Sequence, residues 1–67
     1  MDKIEDLPTH VQLIIRAAIN ECKFYRTFKQ TATEIGQVYV YPAPHGGICW
    51  GINSNDDGCN LKRGVAQ

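Results

Sequence analysis

From Thr9 to Ile35 the chain contains no glycine and no proline, and its apolar residues return at three- and four-residue steps. Leu7, Val11, Ile14, Ile15, Ala18, Cys22 and Tyr25 fall on one side of a helix wound at about 3.6 residues per turn. Gln12, Arg16, Asn20, Lys23 and Thr27 gather on the opposite side, where water should meet them. Asp6 is placed to cap this helix, and Pro8 fits its first turn, where a missing N–H has no helical partner. Around Gln30 to Thr33 the helix formers thin out and threonines appear, and Gly36 breaks the chain. The helix is therefore expected to end near Thr27 to Gln30.

A second stripe runs along the same helix. Leu13, Ala17, Phe24 and Phe28 share a side turned by roughly 100° from the first, since each residue advances about 100° around the axis. The whole chain has 67 residues, and a domain of that size buries only ~60% of the surface its unfolded form exposes. Two apolar stripes on one helix of so short a chain predict two contacts, one inside the fold and one outside. A homodimer is a natural candidate for the outer one, because small domains commonly lean on a staple, a metal or self-association.

After Gly36 the hydrophobic period changes from helical to alternating. Val38 to Tyr41 is dense in strand formers, and Ile48, Trp50 and Ile52 alternate with Cys49 and Gly51. Pro42 to Gly47 and Asn53 to Gly58 are turn clusters, and a last strand is expected from Cys59 to Val65. The pattern predicts a single α+β domain spanning residues 1–67, with one long N-terminal helix packed on a three-stranded antiparallel meander. In the alternative reading Thr31 to Ile35 adds a short extra strand. The last few residues are expected to fray.

Charge and targeting signals narrow the function. Seven basic and seven acidic residues cancel, whereas a nucleic-acid binder usually gathers a basic excess on one face. Lys23, Arg26 and Lys29 make only a weakly basic middle, and Lys62 and Arg63 a weakly basic tail. Nucleic acid is thus not the expected partner, although a DNA-binding regulator using the hairpin with Lys62 and Arg63 is the first alternative. Met1 to Asp6 is charged and lacks the basic start and apolar stretch of a secretory signal. No run approaches the ~20 apolar residues needed to cross a bilayer. The expected location is the cytoplasm, with no membrane contact, and an odd count of three cysteines suits a reducing compartment.

Motifs for chemistry are incomplete. His45, Cys49 and Cys59 could begin a zinc site, giving a small zinc-bound module as the second alternative, but no Cys-x-x-Cys pair is present. Asn53, Asn55, Asp57 and Gly58 echo the start of a calcium loop, yet its twelfth position is Gly64 instead of a bidentate glutamate. Cys49 and His45 are the only nucleophile and base close in sequence, and no carboxylate stands near to orient them. Gln30 to Gly36 resembles the first helix and turn of a helix-turn-helix, but a strand and a proline follow where a recognition helix belongs. No cofactor is implied, and catalysis is not expected.

The aromatic residues carry what remains. If Val38 and Val40 face the helix, Tyr39 and Tyr41 project together from the other side of their strand. Tyrosine is a frequent binding anchor, since it covers large area while losing few rotamers. The sequence therefore predicts a small cytosolic accessory or regulatory protein that binds another protein. Inhibitors or modulators of host proteins made by phages and mobile elements offer the analogy. Its candidate contact residues are Leu13, Ala17, Phe24 and Phe28 on the helix, and Tyr39 and Tyr41 on the sheet.

Overall fold

A computed structural model describes every residue from Met1 to Gln67. A short 3-10 turn, Ile4–Asp6, leads into helix α1, Thr9–Tyr25. Four strands follow: β1 Lys29–Thr33, β2 Gly36–Pro42, β3 Ile48–Asn53 and β4 Asn60–Ala66. They form one antiparallel sheet in the order β1-β2-β3-β4, with α1 packed across one face. The α+β class and the helix on a meander agree with the expectation, but the sheet has four strands instead of three. No helix is long and apolar enough to cross a membrane.

The extra strand comes from an early end to the helix. Arg26 adopts a left-handed conformation, with φ 56° and ψ 43°, and its N–H closes on the Cys22 carbonyl at 2.7 Å. The following Thr27, Phe28, Thr31 and Thr33 are β-branched or aromatic and favour a pleated strand over a helix. The helix thus stops at Tyr25, short of the expected Thr27 to Gln30. Gln30 to Gly36, the helix-turn-helix echo, is instead a β-hairpin whose turn holds Glu34 and Ile35. Thr33 ties that turn, its hydroxyl donating to the Gly36 carbonyl at 2.8 Å and accepting from the Gly36 N–H at 3.2 Å.

At the other end Asp6 does not cap α1. Its carboxylate accepts from the Lys3 N–H at 3.3 Å and so closes the preceding 3-10 turn. Pro8 occupies the cap position itself, and its carbonyl accepts from Val11 and Gln12.

The core lies between α1 and the sheet. Val11, Ile15, Ala18, Ile19 and Cys22 meet Val38, Val40, Ile48, Trp50 and Ile52, while Ile4 and Leu7 close one end. The expected stripe is right for Leu7, Val11, Ile15, Ala18 and Cys22. Ile14 is only half-buried, and Tyr25 is 68% exposed because it sits on the last turn, at the helix end. Ile19, which the three-and-four spacing passed over, is buried. β4 continues to Ala66, which packs against the core, so the end of the chain is held rather than frayed.

Candidate partner-binding face

The register fixes which side chains reach the uncovered side of the sheet. Tyr39 and Tyr41 stand opposite Gly51 and Cys49, which in turn stand opposite Arg63 and Val65. Gln30 stands opposite Tyr39, and Phe28 joins Gln30, Tyr39, Tyr41 and Asn53 around one shallow groove. Val38 and Val40 are buried beneath α1, so alternation sends these neighbours to the far side. No helix or strand covers them there.

Two tyrosines form the centre of this face. Their rings are nearly parallel, 6.2 Å apart with 12° between planes. Tyr39 lies over Gly51 so closely that a β-carbon at residue 51 would strike the ring. Asn60 donates to the Tyr39 hydroxyl at 3.0 Å and to Asn53 Oδ1 at 3.1 Å. Tyr39 is thereby held in one position over Gly51. Tyr41 is freer, at 41% exposed. The Cys49 sulfur beside it holds its hydroxyl above the ordinary value of 10.0, by accepting from the neutral phenol and disfavouring the phenolate. Tyr41 therefore stays a neutral donor under physiological conditions.

Amides and one cation complete the face. Gln30, Asn53 and Asn60 border the aromatic patch, and Arg63 projects beside Tyr39 without an ion-pair partner. A second hollow, lined by Tyr39, Tyr41, Cys49, Arg63, Val65 and Met1, adjoins the first.

The six expected contact residues divide between two places. Leu13, Ala17 and Phe24 lie exposed on α1, Leu13 at 66% and Phe24 at 80%. Phe24 makes an edge-to-face pair with Tyr25, 4.8 Å between centroids. Phe28 is not on that stripe, because the helix has already ended; it is 55% exposed beside the tyrosines. Gln30, Cys49, Gly51, Asn53, Asn60 and Val65 also belong to this face, where the local pattern of the chain did not place them. A period-two count from Phe28 through Gln30 to Ala32 would have pointed to β1, which begins one residue after Phe28.

The other candidates are dispersed. His45 sits in the turn between β2 and β3, Cys49 near the start of β3, and Cys59 beyond its far end. Cys49 and Asn53 alone are separated by about 13 Å at ~3.3 Å per residue, and no three His, Cys, Asp or Glu side chains converge on a metal position. No hydrogen bond joins His45 to Cys49. Around Asn53 to Cys59 the polar groups serve the turn: Asp57 accepts from the Cys59 N–H at 3.0 Å, and Ser54 accepts from the Gly58 N–H at 3.0 Å. The Cys59 N–H holds the Asp57 carboxyl below its ordinary range. Lys62 and Arg63 point to opposite faces, Lys62 opposite buried Ile52 and Arg63 opposite Gly51, so they do not make one basic patch.

Compared with known proteins, the chain matches no family model, no curated protein and no solved structure.

Proposed function

We propose that this protein acts by holding another protein against the open face of its sheet, with no catalysis of its own. Phe28, Tyr39 and Tyr41 are the anchors, and Gln30, Asn53, Asn60 and Arg63 supply directional contacts around them. The observation that carries this reading is the stacked tyrosine pair with exposed Phe28, on a sheet face that no helix or strand covers. Aromatic side chains fixed in advance are the usual centres of protein interfaces, and a contiguous apolar patch of this kind marks a contact site. Such a protein works as an accessory or regulatory factor, its effect exerted through the protein it captures. The analogy with small modulators of host proteins rests on the size and neutral charge of the chain.

The test is a double substitution, Tyr41→Ser with Phe28→Ser. Both side chains are exposed, so stability should change by no more than about 0.5 kcal/mol for each. Affinity for the captured protein should fall by about 2 kcal/mol, or roughly thirtyfold, as measured by titration calorimetry. Phe24→Ser, on the helix, should leave that affinity unchanged. A double variant that binds as tightly as the parent would falsify the reading.

A further inference from the structure

The two edges of the sheet are finished differently. Along β4, the Asp2 N–H donates to the Arg63 carbonyl and the Asp2 carboxylate accepts from the Arg63 N–H, both at 3.0 Å. The N-terminal segment therefore covers that edge, and a register shift opposite Ile52 and Asn53 bends it further from regularity. β1 has neither device. It is five residues without glycine, proline or bulge, hydrogen-bonded on one side only, with Gln30, Thr31 and Ala32 exposed. Its one charge, Lys29, is folded away onto Glu21 of α1 at 2.9 Å. An edge strand in this condition is a template for another strand, and proteins normally blunt such edges with charge, proline or cover.

The helix supplies the second half of the surface. His10 pairs with Glu34 and Glu21 with Lys29, so α1 runs antiparallel to β1 and is tied to it at both ends. Eleven helical residues rise about 16.5 Å, matching five strand steps of about 3.3 Å. Thr31 is then level with Ala17. At about 100° per residue, Ala17 lies next to His10 and Glu21 on the β1 flank, with Phe24 and Leu13 further round towards the crest. The bare strand and the exposed helix stripe thus share one side of the molecule.

The geometry points to a second copy of this chain as the occupant of that side, its β1 pairing antiparallel with this β1 about a two-fold axis through Thr31. Among antiparallel registers, this one pairs all five residues with all five. It sets Thr31 opposite its own copy, Gln30 opposite Ala32 and Lys29 opposite Thr33, so no like charges face each other. The charges at the ends are already paired within each copy, Lys29 with Glu21 and Glu34 with His10, so neither end brings an unpaired charge into the seam. Above the strands, the small Ala17 side chains lie nearest the axis. Leu13 and Phe24 stand further round, towards the crest, and lie outside this seam. A two-fold interface requires the self-complementarity that this register has. The two four-stranded sheets become one of eight strands, with both tyrosine faces on the same side. The dimer stands whether or not those faces capture a protein.

Sedimentation equilibrium and site-directed cross-linking test it. The parent chain should sediment as a dimer at micromolar concentration. Ala17→Arg should raise the dimer dissociation constant at least about tenfold, by placing two bulky charges at the axis. Thr31→Cys, made with Cys49→Ser and Cys59→Ser, should form an intermolecular disulfide under mild oxidation. Residues directly opposite lie about 4.5–5.5 Å apart, within the span a disulfide bridges. A parent that remains monomeric throughout overturns the inference. So does a dimer that Tyr41→Ser disperses while Ala17→Arg leaves it intact, since the contact would then lie on the open face. If Ala17→Arg does not fold, the Thr31→Cys cross-link decides alone: absent, the inference fails.

Discussion

The two faces of the sheet are built from the same residues taken alternately, yet they have opposite chemistry. Towards α1 point Val38, Val40, Ile48, Trp50 and Ile52, all buried. Away from it point Tyr39, Tyr41, Cys49 and Val65, all partly exposed, with Phe28 beside them. Branched aliphatics dominate the covered side because they fill space without a polar atom to satisfy. Tyrosines suit the uncovered side because each offers an apolar ring and a hydroxyl that water or a partner can meet. One face holds the molecule together and the other is free to be used. The contrast can be broken at three points, each with a different expected size of effect.

The largest effect belongs to the covered face. Ile15 is completely buried between α1 and the sheet, with no polar group there to receive a charge. Ile15→Asp should cost about 3–5 kcal/mol or more, comparable with the whole stability of a small domain, and leave the chain unfolded. Far-ultraviolet circular dichroism would read this directly. Ile14→Asp should do much less, because Ile14 is only half-buried and its carboxylate could reach water. A folded Ile15→Asp variant would mean that the core has been assigned to the wrong face.

An intermediate effect belongs to the position where the faces touch. Gly51 has buried neighbours, but its missing side chain makes room for Tyr39 on the open side. Gly51→Ala should therefore displace a ring end rather than backbone, at about 1 kcal/mol or less. Its main consequence should be loss of the Asn60 bond to the Tyr39 hydroxyl and of the stacked pair. Near-ultraviolet circular dichroism of the tyrosines should change while the helical signal does not. A variant with an unaltered tyrosine signal would show that Tyr39 is not held over Gly51.

How much of this was legible in the sequence follows from what each signal depends on. The helix start region, the buried positions Val11, Ile15, Ala18 and Cys22, and the alternation of β2 and β3 come from local periodicity, which a single chain displays. The end of α1 does not. Arg26 carries no residue-type signal for a left-handed cap, where glycine is usual. Lys29 to Thr33 has few apolar residues, because it is an edge that buries little. Only the alternative reading with a short extra strand at Thr31 to Ile35 comes near it, overlapping it at Thr31 to Thr33. That one boundary moved Phe28 from the helix stripe to the sheet face and added the fourth strand. Gly51, Asn60 and Cys49 joined the face only through cross-strand register, which no local window contains.

The smallest effect belongs to the rim of the covered face, where His10–Glu34 and Glu21–Lys29 link α1 to β1. The His10 contact holds the Glu34 carboxyl below its ordinary value of 4.5, and the Glu21 contact holds Lys29 above 10.5. The signs follow from linkage. Glu34 contributes stability above its unfolded value and loses it as pH falls through the lowered folded one. Lys29 contributes below its unfolded value and loses it as pH rises through the raised folded one. All four groups are exposed, so solvent screening keeps both contributions small. Urea midpoints of the parent and Glu34→Gln should differ slightly near neutral pH and converge as the carboxyl protonates in acid. A neutral-pH difference approaching that of a core substitution would mean that the rim, and not apolar burial alone, holds the helix on the sheet.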